Sequence, residues 1–223
     1  EGGTIVFKES GSYTLTATAV NYGGRETSCS KSIMVYPVIN AGFELPEYTH
    51  TDRTVTVKAS ASGLGSLDIV WSVVKDGKAV AWDTVIDGRL SNDGGTIAFK
   101  EKGSYVITAT VADATGRRFT HSEAIAVYPV VSMAFELPQT AHTDTTIDLI
   151  TTMTEMDGLT SDWSLTRNGE AVSIREYVEG ELSNSGGTVR FKEKGVYALI
   201  ARVTDKTGRV FETTATTTVN PVG

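Results

Sequence analysis

Phe99-Lys100-Glu101-Lys102-Gly103-Ser104-Tyr105-Val106-Ile107-Thr108-Ala109-Thr110-Val111 reads as a turn followed by a strand. Lys100 to Gly103 carries charge and a glycine, which reverse a chain cheaply. From Tyr105 onward, Tyr105, Ile107, Ala109 and Val111 alternate with Val106, Thr108 and Thr110. Side chains of a strand point to opposite faces in turn, so one face is apolar and the other mixed, as expected for half of a sandwich.

The same stretch occurs three times. Gly2-Gly3-Thr4, Phe7-Lys8-Glu9 and Tyr13 return as Gly94-Gly95-Thr96, Phe99-Lys100-Glu101 and Tyr105, and again as Gly186-Gly187-Thr188, Phe191-Lys192-Glu193 and Tyr197. The spacing is a constant 92 residues, from position 2 to 94 and from 94 to 186, and Trp71 and Trp163 obey it too. Laid side by side without gaps, the second and third copies agree at about 40% of positions, which marks a duplicated structural unit. Each copy closes on a Pro-Val step, Pro37-Val38, Pro129-Val130 and Pro221-Val222, where proline cannot donate to a central ladder. The expected organisation is therefore residues 1–37 as the C-terminal part of an incomplete repeat, then complete repeats at 38–129 and 130–223.

Within a repeat the strand signals are dense. Phe43-Glu44-Leu45-Pro46 opens as a short edge strand, Thr54 to Val57 alternates, and Ile69 to Val74 ends at Lys75-Asp76-Gly77. Asp-Gly there, and Asn168-Gly169 in the next copy, predict tight hairpins, with a short strand near Ala79-Val80 pairing back. Gly94-Gly95 reads as a turn before Thr96 to Phe99, and Asp113 to Arg117 turns the chain into the last strand. About seven strands in ~90 residues predict an all-β, aligned two-sheet sandwich repeated in tandem. Tyr105 and Tyr197 are expected partly buried, and Trp71 and Trp163 within the core.

The run from Phe99 through Gly103-Ser104-Tyr105 to Val111, Asp113 and Gly116, with Trp71 upstream, resembles the PKD-like and related bacterial immunoglobulin-like domains of surface proteins. In that family a Gly-x-Tyr step opens a threonine-rich strand that ends in Asp and a Gly turn. The resemblance implies a fold and a setting in tandem arrays at the cell surface, and no particular chemistry. Trp71 to Gly77 departs from the family's turn by an added hairpin-like step.

Composition narrows the function classes. Net charge is −7 with Lys and Arg scattered, which argues against a nucleic-acid footprint, and no apolar run approaches the ~18 residues of a membrane span. Cys29 is the only cysteine, so there is neither an intrachain disulfide nor a cysteine-based metal site. No Gly-x-Ser-x-Gly elbow, phosphate loop or dinucleotide fingerprint is present, and His50 and His142 are one position in two repeats while His121 aligns with Cys29 and Thr213, so the three are not expected to form one site. No enzyme is expected, and no cofactor. Lys58 becomes Ile150 in the next copy, and Asn220 stands where Tyr36 and Tyr128 stand, so neither complete copy holds the pair needed for a Lys–Asn crosslink.

Two sets of residues are candidates for binding. Glu44, Asp52 and Asp113 are carboxylates near repeat ends, the donors a Ca²⁺ ion takes at a linker; the alternative is that Asp52 and Asp113 cap turns. Trp82 has no counterpart, its aligned residue being Ile174, and beside Asp83 it offers a platform for a sugar ring; the alternative is a side chain filling a local gap. The reading that follows is a structural or stalk module of a larger extracellular or cell-surface protein, its partners the neighbouring repeats. An adhesin module for glycan or host protein is the competing reading. Residues 1–37 supply too few strands for a sandwich, so they are expected to be ordered and completed by other polypeptide.

Overall fold

The computed structural model describes residues 2–222, so Glu1 and Gly223 at the outer limits of the repeat reading lie outside it. The chain divides into two compact units, Glu1–Tyr128 and Pro129–Gly223.

The first unit begins with a hairpin of β1 (Gly11–Val20) and β2 (Glu26–Val35). There follow β3 (Asn40–Phe43), β4 (Tyr48–His50), β5 (Thr54–Ser62), β6 (Val70–Lys75), β7 (Lys78–Val80), a single helical turn α1 (Trp82–Val85), β8 (Ile86–Asp87), β9 (Gly94–Phe99), β10 (Gly103–Ala112) and β11 (Arg118–Tyr128). They form one sheet in the order β4-β11-β10-β6-β7 and another in the order β3-β5-β9-β8.

The second unit repeats the plan with β12 (Ser132–Phe135), β13 (Thr140–His142), β14 (Ile147–Thr154), β15 (Ser161–Arg167), β16 (Glu170–Val172), α2 (Ile174–Tyr177), β17 (Val178–Glu179), β18 (Leu182–Ser183), β19 (Gly186–Phe191), β20 (Gly195–Thr204) and β21 (Val210–Asn220). Its sheets are β13-β21-β20-β15-β16 and β12-β14-β19-β17, with β18 also on β19. Each unit thus holds an all-β immunoglobulin-like sandwich.

The period-two pattern sets the core. Tyr105, Ile107, Ala109 and Val111 of β10 are all fully buried, as are Tyr197, Leu199, Ala201 and Val203 of β20. Burying an Ile or Leu side chain of this kind stabilises by roughly 1.5–3 kcal/mol, and the outward Thr and Val positions leave the other face to solvent. Asp76 and Asn168 take positive φ (49° and 51°) ahead of Gly77 and Gly169, the geometry of the two-residue hairpins that the sequence predicted.

Three expectations change on contact with the structure. Gly94 and Gly186 are not turn residues but the first residues of β9 and β19: both have positive φ, and a Cβ on either would fall onto the carbonyl oxygen of Val57 or Leu149 in the neighbouring strand. Tyr105 and Tyr197 are wholly buried rather than partly, each under a phenylalanine from the preceding strand, with ring centroids 4.7 Å and 4.5 Å apart (Phe99, Phe191). Trp71 and Trp163 sit at the rim of the core, half-buried, each 5.0 Å from the ring of Phe43 or Phe135. Each indole N–H reaches a rim oxygen, Ser91 O for Trp71 and Ser161 Oγ for Trp163, and a ring with a polar end to satisfy stays at the edge of the core.

The hairpin stands apart in its burial. Its register runs from Gly11↔Val35 to Val20↔Glu26, and among the described residues no other strand pairs with either outer edge. Nearly every residue of both strands is exposed.

Candidate functional site

Trp82 opens the helical turn α1 after an extended Ala81. Its indole N–H donates to Gly88 O at 2.8 Å, closing the loop that carries it, and its ring packs half-buried on the core. Beside it, exposed Asp83 pairs with Arg89 at 3.3 Å, while Lys100 Nζ donates to Asp83 O at 2.8 Å. Ile174 begins the same turn in the second unit, where Lys192 Nζ donates to Arg175 O at 2.9 Å. Trp82 is thus a change of side chain on a scaffold both copies share, half-buried rather than freely exposed.

Asp113 is held by its own turn. Its Oδ1 accepts from the Thr115 hydroxyl at 2.6 Å, Thr115 N–H at 2.9 Å and Arg117 N–H at 3.0 Å. These bonds, the Thr115 hydroxyl foremost, hold the carboxyl below its usual range. Asp205 makes the same set to Thr207 and Arg209, and Asn21 accepts from Gly23 and Arg25 N–H in the hairpin.

The carboxylates named as a Ca²⁺ set are not gathered. Asp113 lies at the Arg118 end of β11 and Asp52 follows β4, which pairs at the Tyr128 end, so the two are separated by about 30 Å, the length of that strand. Among the described residues no group of three His, Cys, Asp or Glu is placed to hold a metal ion.

Sequence reading missed a shallow groove where β3 crosses between β5 and β11. It has a volume of about 520 Å³ and is lined by Phe43, Glu44, Thr56, Lys58, His121 and Glu123 among others. Glu44, one of the singled-out residues, therefore faces this groove. His121 Nε2 lies 3.1 Å from Phe43 O and 3.0 Å from Glu123 Oε1, so both acceptors draw on one N–H, and the imidazole stands edge-on to Phe43 at 5.2 Å. Ser60 also lines the groove, but its hydroxyl donates to Gly42 O at 3.4 Å rather than to the imidazole. The types needed for acyl transfer meet here without the hydrogen bonds that couple them. The second unit has a smaller groove, about 310 Å³, at the same place, lined by Glu136, Asp148 and Ile150. Only strand pairing reveals that positions 43, 58 and 121 converge, which is why a scan along the chain passes over them.

No protein-family model matches the chain, and no curated protein does. Solved structures do. The chain is similar to a three-immunoglobulin-domain fragment of titin, at a TM-score of 0.59 and 13% identity over 98% of this chain and 77% of that one. It is similar also to the insect immune protein hemolin, at a TM-score of 0.54 and 15% identity over 94% of this chain. It spans 56% of the hemolin chain, whose structure is described with implications for homophilic adhesion. At such identities the likeness is one of fold, tandem immunoglobulin-like sandwiches. Among the described residues no helix is long and apolar enough to cross a membrane.

Proposed function

We propose that the chain is a non-catalytic stalk segment of a larger extracellular or cell-surface protein, built of 92-residue immunoglobulin-like repeats of the PKD-like or bacterial type. In this reading residues 1–37 end one repeat and 38–129 and 130–223 are two more. The observation that carries it is where the chain enters and leaves each sandwich. His121 lies beside Phe43 and Tyr128 pairs with His50, so the entering strands β3 and β4 run alongside the last strand β11 in the same direction. The chain enters a module at one end and leaves at the other, which is what a spacer needs. Thr51 N–H donates to Tyr128 O and Ala126 N–H to Glu47 O, both at 3.0 Å, so tension on the two termini loads this parallel pair in shear. β13 and β21 make the same parallel pair.

Polar loop side chains support the same reading because they serve the fold in both copies. Asn92 Oδ1 accepts from Ile69 N–H and its amide donates to Leu67 O; Asn184 does the same for Ser161 and Leu159. Groups so committed are not free to meet a ligand.

A second reading, an adhesin module for carbohydrate or protein, is favoured by the features particular to the first sandwich: the half-buried Trp82 beside exposed Asp83, and the groove holding Lys58, His121 and Glu123 where the second sandwich has Ile150, Thr213 and Ala215. A glycan panel probed with the chain and with Trp82→Ala separates the two. The stalk reading expects no glycan retained above background by either protein. A reproducible signal lost on Trp82→Ala replaces it with the adhesin reading.

A further inference from the structure

We infer that the second sandwich pairs with the second sandwich of another copy of this chain, through the open outer edge of β21, to make one continuous sheet. This goes beyond the stalk role and does not depend on it.

The edge is long and unpaired. β13 covers β21 only over Thr218–Asn220. There Thr218 N–H donates to Gln139 O and Asn220 O accepts from Thr143 N–H, so even-numbered residues of β21 aim their backbone groups outward. Ahead of them Val210, Glu212, Thr214 and Thr216 aim theirs the same way, and among the described residues no strand receives them. A row of unmet N–H and C=O groups is a template for a further strand.

The first sandwich guards the same place. On β11, residues 118–125 are equally open, but His121 and Glu123 point inward, and His121 Nε2 lies 3.1 Å from Phe43 O and 3.0 Å from Glu123 Oε1. Charge directed inward from an edge strand opposes the docking of another. On β21 those positions are Thr213 and Ala215. A notch of about 210 Å³ lies there instead, lined by Met133, Ala201, Phe211 and Thr213 among others.

The stretch also matches itself. Two strands meeting antiparallel about a two-fold axis keep inward residues opposite inward ones. Centred on Thr213, the pairing sets Val210 against Thr216 of the second copy, Glu212 against Thr214, and Phe211 against Ala215. Every outward residue is then engaged, giving about eight hydrogen bonds, and nothing held by β13 is displaced. Glu212 is the only charge in residues 210–217, and Arg202 of β20 already pairs with it at 2.6 Å, so no like charges stand opposite. The same axis on β11 would centre on His121 and set Glu123 against Phe119 on the inner face, where covering a carboxylate with a ring is costly. The second sandwich therefore pairs and the first does not.

The experiment uses the full chain with its one native cysteine removed, Cys29→Ser, and a new one placed on β21. Thr213→Cys stands on the two-fold axis in a pair with no hydrogen bonds, where the Cα atoms approach to about 4.5 Å, within reach of a disulfide. Thr216→Cys faces Val210 of the second copy and lies far from its own equivalent. In a glutathione redox buffer, at up to about 1 mM protein, the inference expects at least about tenfold more disulfide dimer from Thr213→Cys than from Thr216→Cys. Adding Ala215→Glu, the residue the first sandwich carries there, should lower the Thr213 yield at least about tenfold. Thr214→Pro should do the same by deleting an outward N–H that no strand within the chain uses, and a thermal melt of each variant checks that the second sandwich still folds. Equal crosslinking at Thr213 and Thr216, or none at either, overturns the inference. So does a dimer in sedimentation that folded Ala215→Glu and Thr214→Pro chains both retain, because copies would then meet elsewhere.

Discussion

The phenol of Tyr105 donates to the carbonyl oxygen of Glu101 at 2.8 Å, four residues back along the chain and around the corner that joins β9 to β10. Tyr197 and Glu193 repeat it at 2.9 Å. Tyrosine corners of this kind belong to immunoglobulin-like sandwiches, and here the ring beneath the hydroxyl is fully buried. Tyr105→Phe keeps the ring and deletes the bond, so the first sandwich should lose about 0.5–1.5 kcal/mol in urea denaturation while the second is unchanged. Burial also raises the pKa of both phenols above the ordinary value near 10. A raised folded-state pKa contributes stability that is intact below about pH 10 and is lost as the pH climbs past it. Followed at 295 nm, Tyr105 and Tyr197 should therefore ionise last among the eight tyrosines, together with unfolding; eight phenols titrating as one class near pH 10 would contradict this.

Gly94 and Gly77 both have positive φ, 95° and 79°, but only Gly94 faces a neighbouring backbone where a Cβ would sit. Gly94→Ala should cost about 3 kcal/mol or more, because β9 must part from β5, whereas Gly77→Ala should cost about 1 kcal/mol of conformational strain. Similar losses for the two would mean that contact with Val57 does not determine the choice of glycine.

Thr217 is 2% exposed and its hydroxyl has no hydrogen-bond partner, at the position where the first sandwich has Ile125. Thr217→Val keeps the shape and removes the stranded polar group, so it should stabilise the second sandwich by about 1 kcal/mol, a rise of roughly 4–8 °C in its melting temperature. Calorimetry showing no rise, or a fall, would mean that the hydroxyl is satisfied in solution.

Asp113, with a carboxyl held below its ordinary range by Thr115 and Arg117, contributes stability above the unfolded value near 3.8 that is lost as the pH falls through its lower folded value. Asn21 occupies the equivalent turn with the same kind of acceptor. Asp113→Asn should accordingly lower the melting temperature of the first sandwich slightly at pH 7 and make it less sensitive to acid below about pH 4. An unaltered acid limb in thermal melts would show that other carboxylates govern it.

Much of this fold is written in the chain at short range. The alternation of Tyr105 to Val111 places the core, and Asp76-Gly77 places a hairpin, because both signals lie within a few residues of what they determine. Gly94 escaped because its need for glycine comes from Val57, thirty-odd residues away and across a sheet. Trp71 was legible as apolar but not as rim, since its depth depends on how much space the facing sheet leaves. The groove at Phe43, Lys58 and His121 was invisible for the same reason: three strands bring it together. Asp113 carried a turn and a cation reading in one symbol, and only the three donors converging on Oδ1 show what its carboxylate does in the fold.

The central claim is that each sandwich is a separate unit whose entering and leaving strands share tension in shear. The most direct measurement is single-molecule extension of the chain from its two termini. The account expects two force peaks, each releasing about 300 Å of contour length for ~90 residues, and none of comparable force from the hairpin. A single peak releasing both sandwiches together, or extension with no peak at all, would contradict it.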